Sequence, residues 1–248
     1  MIITSEYVDL QTPGGDSMRT FVARPKAPGK YPGVLFYSDI FQLTGTMLRS
    51  CARLAGYGYV VAAPEIYRRV EPPGVVHPFD DQGRDRGLAD AAKTPVAHFD
   101  EDCGTVLDYL ATHPAVAPGK IGVAGFCIGG HLAFRGAMHP AVRATVCFYG
   151  TGIHDGKLGA DVDAGSLQRA AEIRGELLLV WGVGDPHIPI EGRARIEEAL
   201  QGAGVNFSQR VYEAEHAFMR DVGPRYDSEA TDQAFGDMLS FYRRVFSS

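Results

Sequence analysis

The segment from Lys120 to Phe134 constrains the fold of this chain more than any other part of the sequence. An apolar run enters a Gly-x-Cys-x-Gly-Gly turn centred on Cys127, and a helical pattern follows directly. Small residues around a central nucleophile permit a sharp, strained strand-to-helix turn that lifts it above the sheet. The helix N-terminus behind that turn favours negative charge and offers free N–H groups. The pattern predicts that Cys127 is a nucleophile; the competing interpretation is a buried small hydrophobic residue beside tightly packed glycines.

Apolar, β-branched runs alternate with helical patterns along the whole chain, which is typical of α/β folds with a mostly parallel sheet. Eight strands are predicted, at Glu6–Leu10, Arg19–Arg24, Gly33–Tyr37, Tyr59–Ala63, Lys120–Ala124, Ala144–Tyr149, Leu177–Trp181 and Phe207–Tyr212. Helices are predicted at Thr46–Ala55, Phe99–Thr112, Ile128–Met138, Glu191–Gln201 and Ser228–Phe246. Because Pro and Gly between the first two strands supply turn dihedrals, these strands are expected to form a hairpin.

The domain organisation follows from length and from the absence of any linker. A chain of 248 residues without an internal repeat is expected to form a single domain over residues 1–248. Residues 64–95 combine several prolines and glycines with clustered Asp and Arg and show weak apolar periodicity. Loops longer than about 12–15 residues are usually functional or mobile, so this segment is predicted to be a loop or lid. Residues 151–174 form a second irregular stretch.

Composition excludes several classes of protein. Hydrophobic residues make up 45% and charged residues 22%, as in ordinary globular domains, and the net charge of −6 argues against a nucleic-acid partner. The N-terminus lacks a secretory pattern, and no apolar run approaches the ~18 residues of a membrane span, so a cytoplasmic protein without a membrane partner is expected. Four cysteines without a C-x-x-C pair do not indicate zinc or disulfides. Nucleotide and metal signatures are also missing, so no cofactor or metal is expected.

A nucleophile elbow in an α/β-hydrolase is followed along the chain by an acid and then a histidine. Asp185 follows the apolar run that begins at Leu177, and His216 follows the next predicted strand. Both residues are therefore expected just after the carboxyl ends of predicted strands, as Cys127 is. The arrangement predicts His216 as the base and Asp185 as the group that orients it. The alternatives are a turn or helix-capping role for Asp185 and a surface position for His216.

Other residues of catalytic type are weaker candidates. His131 lies one helical turn after Cys127 and competes as a base, although a residue within that helix is expected to pack instead. His187 is expected at the rim of the site. The remaining cysteines lie in apolar patterns and are predicted to be core residues: Cys51, Cys103 and Cys147.

In these blocks the sequence resembles the dienelactone hydrolase family of the α/β-hydrolases. The resemblance spans about residues 31–220 and rests on the cysteine elbow, Gly-Asp at 184–185 and Glu-His at 215–216. It implies an α/β-hydrolase fold, an eight-stranded sheet flanked by helices, and a triad of Cys127, Asp185 and His216. The family's Glu-Ile-Phe block, whose carboxylate helps to activate the thiol, reads Asp39-Ile40-Phe41 here. The match implies oxyanion donors at the backbone N–H groups of Ile40 and Ile128.

The same resemblance implies residues that bind the substrate. Family members hold a substrate carboxylate with two arginines, one in a Tyr-x-Arg block and one four residues after the catalytic histidine. These match Arg69, beside Tyr67, and Arg220; Phe41 and Tyr67 are implied as further contacts. The alternative for each arginine is a solvated surface charge. Two positions depart from the family pattern: Asp39 is one methylene shorter than Glu, and Ala217 replaces a hydroxyl-bearing residue.

The sequence thus predicts a cysteine-dependent hydrolase of a small lactone or carboxylic ester that bears a carboxylate. The reaction is expected to pass through a thioester with Cys127. A broader esterase or thioesterase is the alternative within catalysis. Outside catalysis, the alternative is a hydrolase scaffold that binds a small ligand or senses oxidants through Cys127.

Overall fold

The computed structural model describes residues 1–247 and contains a sheet with the strand order β1-β2-β4-β3-β5-β6-β7-β8. The strands are β1 (Ile3–Gln11), β2 (Ser17–Pro25), β3 (Tyr31–Tyr37), β4 (Val60–Pro64), β5 (Val116–Phe126), β6 (Val142–Phe148), β7 (Glu176–Gly182) and β8 (Asn206–Tyr212). The α-helices are α1 (Gly45–Gly56), α2 (Asp81–Lys93), α3 (Val96–Thr112), α4 (Ile128–Gly136), α5 (Ile190–Gly202) and α6 (Ser228–Ser247).

One strand near the N-terminal edge of the sheet, β2, runs opposite to all the others. β1 pairs with β2 and β2 with β4 in antiparallel fashion, and every pair from β4 across to β8 is parallel. The predicted eight-stranded, mostly parallel sheet is confirmed, as is the hairpin of its first two strands. Parallel neighbours need crossover connections, so their carboxyl ends meet at one edge of the sheet. The ends of β3, β5, β7 and β8 therefore deliver the residues that follow them to the same side of the molecule.

The central strands are buried along most of their length. All five residues of β4 are buried, and so are the last six residues of β5. A parallel strand covered on both faces reads as a continuous apolar run, which is why these strands are recognisable in the sequence. Helix α6 is fixed to the sheet by the Tyr242 hydroxyl, which donates a hydrogen bond of 2.7 Å to the Val123 carbonyl. The helix is thereby held against β5 in the middle of the sheet.

Residues 64–95 are not a loop throughout, contrary to the sequence-based expectation, because part of the segment forms α2. Asp80 caps this helix by accepting a hydrogen bond of 2.7 Å from the Gly83 N–H. Its buried residues are Gly83, Gly87, Asp90 and Ala91. A Cβ on Gly87 would lie 2.4 Å from the Ile40 carbonyl oxygen, so the helix approaches that loop through a glycine. Hydrophobic periodicity detects apolar faces, and a helix that packs through glycine and aspartate therefore escapes it.

A largely buried polar cluster ties α2 to the loop that precedes it. His77 Nε2 lies 2.9 Å from Asp90 Oδ2, and Arg86 Nε donates a hydrogen bond of 2.6 Å to Glu71. The ligand-type atoms of Glu71, His77 and Asp90 all lie within 4.8 Å of one another. Because Arg86 and the cluster's own hydrogen bonds engage these groups, the cluster serves to hold α2 in place.

The ends of two of the predicted helices differ from the structure by more than one residue. Helix α3 begins at Val96, three residues before Phe99, because the Val96 N–H donates a hydrogen bond of 2.8 Å to Asp161 from a distant part of the chain. Helix α4 ends at Gly136, two residues before Met138. Residues 151–174 are largely irregular, with a short 3₁₀ helix at Ala170–Glu172. Over residues 1–247, no helix combines the length and the apolar character needed to cross a membrane.

Candidate active site

Cys127 lies between β5 and α4 in a backbone conformation that non-glycine residues rarely adopt. Its φ is 58° and its ψ is −120°. The turn is tight enough that a Cβ on Gly125 would lie 1.9 Å from the Gly129 carbonyl oxygen. The Cys127 N–H donates a hydrogen bond of 3.1 Å to the Phe148 carbonyl, which holds the turn against β6. Strain of this kind persists only where the surroundings enforce it, and here it presents the thiol at the sheet edge.

His216 and Asp185 form a buried pair beside Cys127. His216 Nδ1 donates a hydrogen bond to Asp185 Oδ2 at 2.7 Å, with 6% and 1% of the two side chains exposed. The other carboxylate oxygen, Oδ1, accepts a hydrogen bond of 2.8 Å from the His187 N–H. Asp185 is therefore fixed at both oxygens, and it in turn fixes the orientation and the tautomer of the imidazole.

The charge state of His216 depends on its two partners. Burial alone would lower its pKa, but the Cys127 sulfur, by its charge and its hydrogen bond, and Asp185 together raise the pKa to about 9. The imidazolium form is therefore favoured at neutral pH. Aromatic neighbours restrict the ring: Tyr149 and His187 meet it edge-on at centroid distances of 5.2 and 4.7 Å. Burial, followed by the charge of His216, lowers the pKa of His187.

Asp39 and Arg220 were expected to have separate roles, and the structure pairs them directly. Arg220 Nη2 lies 2.7 Å from Asp39 Oδ2, and the Phe41 N–H donates a hydrogen bond of 2.9 Å to Asp39 Oδ1. The Arg220 guanidinium also lies over two rings, 4.6 Å from the centroid of Phe41 and 4.8 Å from that of Phe79. Arg220 is thus held by a carboxylate and by two aromatic side chains.

The residues expected to supply oxyanion donors both line the cavity around Cys127. Ile128 is the first residue of α4, and the N–H groups in the first turn of a helix have no acceptor within that helix. The Ile40 N–H donates no hydrogen bond within residues 1–247. Both positions therefore offer backbone donors close to the sulfur.

The cavity around Cys127, called the inner cavity here, has a volume of about 270 Å³. Two of its walls come from segments that were irregular in the sequence-based prediction: Arg84 and Leu88 from α2, and Lys157 from residues 151–174. Arg84 is a site residue that sequence reasoning missed, because α2 carries no apolar stripe that would have revealed its inward face. The residues that line the inner cavity are Ile40, Phe41, Arg84, Leu88, Ala91, Cys127, Ile128, Thr151, Lys157, Leu158, Gly159, His187, His216, Arg220 and Arg225.

Arg69 and Tyr67 do not line the inner cavity, although burial and then the charges of Cys127 and Asp39 raise the pKa of the Tyr67 hydroxyl. Arg69 Nη1 lies 2.8 Å from Asp102 and its Nη2 lies 3.0 Å from Glu101, both on α3, so its charge is engaged outside the inner cavity. Tyr67 is fully buried and stacks on His77 at a centroid distance of 6.3 Å. The structure therefore places Arg84 and Arg225 in the inner cavity beside Arg220, and it does not place Arg69 there.

The weaker candidates are packed into the interior. His131 Nδ1 lies 3.0 Å from the Thr151 carbonyl and its Nε2 lies 2.8 Å from the Ser166 hydroxyl. Burial, followed by the charge of Arg135, lowers the pKa of His131 to about 3, so the ring is neutral and both nitrogens are engaged. Burial raises the pKa of the Cys103 thiol to about 12, and it also raises the pKa of the other two core thiols, Cys51 and Cys147.

Comparison with known proteins identifies the family and the fold of this chain. The model of the dienelactone hydrolase family matches residues 18–246. A candidate carboxymethylenebutenolidase from Saccharomyces cerevisiae is 37% identical over 98% of this chain and 93% of its own length. One from Synechocystis sp. is 33% identical over 90% of both chains. The crystal structure of a candidate dienelactone hydrolase from Klebsiella pneumoniae superimposes with a TM-score of 0.87 and 27% identity, covering 98% of this chain and 99% of the other. The predicted α/β-hydrolase fold is confirmed.

Proposed function

Since this chain belongs to the dienelactone hydrolase family, we propose that it hydrolyses a small lactone or carboxylic ester through Cys127, His216 and Asp185. The observation that carries the proposal is the buried His216–Asp185 pair, 2.7 Å between Nδ1 and Oδ2, beside a cysteine in a strained elbow. A histidine oriented by a carboxylate next to a nucleophile is the arrangement that acyl transfer requires.

In the first half of the reaction, the Cys127 thiolate attacks the carbonyl carbon and the carbonyl π electrons move to oxygen. The N–H groups of Ile40 and Ile128 stabilise that oxyanion; one such donor is typically worth ~3–4 kcal/mol. When the intermediate collapses, the bond to the alcohol oxygen breaks, and the His216 imidazolium protonates the departing oxygen. In a lactone this oxygen stays attached to the acyl group. The product of this half is a thioester on Cys127.

The second half needs His216 as a base, and the charges around it favour this change of role. The charge and hydrogen bond of the Cys127 sulfur are among the causes that raise the pKa of His216 to about 9, while burial lowers it. A thioester sulfur carries no negative charge, so the pKa of His216 falls once the acyl-enzyme has formed. The neutral imidazole then takes a proton from water, whose oxygen attacks the thioester, and the acid and the thiolate are released.

Arg220 supports a preference for substrates that carry a carboxylate. It lines the inner cavity together with Arg84 and Arg225, which add positive charge there, and a guanidinium binds a carboxylate through a bidentate fork. In the structure Arg220 is already bound to Asp39, with 2.7 Å between Arg220 Nη2 and Asp39 Oδ2. A substrate carboxylate that binds Arg220 therefore displaces Asp39, which frees an acidic group close to the nucleophile. Asp39 then accepts a proton or changes the rotamer of Cys127; as a fixed neighbouring charge it would only disfavour the thiolate.

The test is to isolate the acyl-enzyme. Purified protein is mixed with an activated ester, quenched and digested, and mass spectrometry should find the acyl group on Cys127. Cys127→Ala should lower kcat by about a millionfold, as for removal of a nucleophile in related triads, whereas Cys51→Ala, which changes a buried thiol on α1, should retain activity. Hydrolysis that persists in Cys127→Ala would contradict the proposal.

The broad-esterase alternative makes a different prediction about charge. If Arg220 and Arg84 do not select the substrate, matched neutral and carboxylated esters should have the same kcat/KM once their chemical reactivity is taken into account. A preference for the carboxylated member would favour the narrower function. If neither ester nor lactone turns over, the ligand-binding scaffold becomes the better interpretation.

A further inference from the structure

A second cavity adjoins the inner cavity on the side of Arg220. Its volume is about 200 Å³, and four residues line both spaces: Phe41, Arg84, Arg220 and Arg225. We call it the outer cleft. The residues that line only the outer cleft and matter for its chemistry are Phe79, Asp80, Asp81, Ala217 and Tyr226.

Of the arginines that line the outer cleft, Arg225 alone makes no hydrogen bond to a carboxylate within residues 1–247. Arg84 is bound by carboxylates, at 2.9 Å from Asp81 and 3.0 Å from Asp85, and Arg220 is bound by Asp39. The nearest carboxylate to Arg225, by contrast, is Glu215 at 4.0 Å, and Arg225 donates no hydrogen bond within residues 1–247. Its N–H donors therefore remain available to an anion, with Glu215 as a distant ion-pair partner.

The acidic residues of the cleft do not cancel this charge. Asp80 accepts the hydrogen bond of 2.7 Å that caps α2, and Asp81 is the partner of Arg84. The guanidinium of Arg225, at 43% side-chain exposure, is thus accessible to a ligand that enters from solvent.

Aromatic rings form the apolar part of the outer cleft. Phe79 and Tyr226 remain 37% and 42% exposed, and the ring of Phe79 packs edge-on against Phe41 at a centroid distance of 4.8 Å. Phe79 also supports the Arg220 guanidinium at 4.8 Å. Exposed rings beside guanidinium groups suit a planar ligand, because both kinds of group stack on aromatic faces.

The position of His216 indicates which part of a substrate reaches the outer cleft. In the proposed reaction His216 protonates the departing oxygen, so the alcohol portion lies on its side of the carbonyl. Ala217, the next residue, lines the outer cleft, and Arg220 follows one turn later. The part of the substrate beyond the departing oxygen therefore passes over Ala217 toward Arg225.

We propose that the outer cleft is a subsite for the alcohol portion of the substrate, and that it takes a planar aromatic group bearing a negative charge, which Arg225 binds. The inference rests on the proposed hydrolase function. It goes beyond that function because it assigns the chemistry of the departing group, in addition to a carboxylate near Arg220.

The experiment uses three acetate esters with the same acyl group: phenyl acetate, 4-carboxyphenyl acetate and 4-carbamoylphenyl acetate. Rates are normalised to hydroxide-catalysed hydrolysis, which removes differences in leaving-group reactivity. The wild-type protein should prefer the carboxylated ester over the carbamoyl ester. In Arg225→Gln this ratio of kcat/KM should fall about 5- to 10-fold, the scale of a partly exposed charged hydrogen bond, and Arg225→Lys should restore part of it.

Arg169→Gln is the matched control, since Arg169 is equally exposed but pairs with Glu172 far from both cavities, and it should leave the ratio unchanged. A wild-type ratio of one that Arg225→Gln does not alter would overturn the subsite. If no ester turns over, the proposed function fails, and titration calorimetry with 4-hydroxybenzoate then tests the outer cleft separately. Binding that Arg225→Gln abolishes would support the cleft, and an absence of binding would overturn it.

Discussion

The inner cavity has two sides that are stabilised in different ways. On the catalytic side, Cys127, Asp185 and His216 follow the ends of β5, β7 and β8, and the side chains of the last two are no more than 6% exposed. On the recognition side, Arg84 and Arg220 lie on a helix and a loop outside the sheet and are held by carboxylates. Ion pairs near solvent contribute little to stability, while backbone strain within a packed sheet is costly to change. The reaction geometry is therefore fixed, and the charge arrangement can be rearranged by a ligand.

The strongest test of the fixed side is Asp185→Asn. The amide conserves shape but cannot hold the Nδ1 proton in place, so kcat should fall about ten-thousandfold with the fold intact. Steady-state kinetics and a thermal unfolding curve measure the two quantities. Asp237→Asn, which removes the charge of a partly exposed carboxylate bonded to Arg210 and Tyr212, is the control for the amide itself. A loss smaller than tenfold would show that Asp185 is not the orienting group.

The charge state of His216 gives a second test, through its pH dependence. Its pKa of about 9 lies above the ordinary value of 6.5, so protonation stabilises the folded state. That stabilisation is complete below a pH of 6.5 and is lost as the pH rises through about 9. In Cys127→Ala the sulfur no longer opposes burial, and the pKa should fall. NMR titration of the His216 ring measures both proteins; an unchanged pKa would exclude Cys127 as the cause.

The recognition side is tested by Arg220→Gln. Loss of a charged hydrogen bond costs roughly 1.5–3 kcal/mol, so kcat/KM for a carboxylated lactone or ester should fall about 10- to 150-fold. A neutral substrate of matched reactivity should lose less. The unfolding midpoint should also fall, because Asp39 is only 14% exposed and loses its ion-pair partner. Equal losses for both substrates would show that Arg220 supports the structure of the site rather than substrate charge.

The contact between the two sides is tested by Gly87→Ala. The added Cβ would meet the Ile40 carbonyl oxygen at 2.4 Å and force α2 and the Ile40 loop apart, at a cost of about 1–3 kcal/mol. Gly236 in α6 has nothing within 4 Å of the corresponding position, so Gly236→Ala should instead stabilise the protein by about 0.5–1 kcal/mol. Denaturant unfolding compares the two. An unchanged free energy of unfolding in Gly87→Ala would mean that α2 does not pack closely against Ile40.

The same division explains how far sequence reasoning reached. Buried parallel strands read as apolar runs, and an elbow needs glycines at fixed positions, so both the sheet and Cys127 could be found without any coordinates. Asp185 and His216 remain predictions for catalysis, but their places after β7 and β8 follow from order along the chain. Each of these features is local in sequence.

The recognition side depends on contacts between residues that are distant in sequence. Asp39 and Arg220 are separated by 181 positions, and no pattern in either segment indicates that they pair. Arg84 lies on a helix whose buried positions include two glycines and an aspartate, so its inward face carries no periodic signal. The match to a Tyr-x-Arg block indicated Arg69 instead, whose charge the α3 carboxylates engage.

The Asp39–Arg220 ion pair makes Asp39 a competing ligand that the protein carries within its own site. Because it is tethered, it is always present at a high effective concentration, and in the proposed function a substrate carboxylate binds Arg220 only by exceeding that competition. Weakly bound anions of the solvent are therefore excluded from the guanidinium. Selectivity then depends on the difference between the affinities of two carboxylates for Arg220. Shortening the usual Glu to Asp at position 39 therefore adjusts the affinity that a substrate must exceed, without altering any residue that the substrate touches.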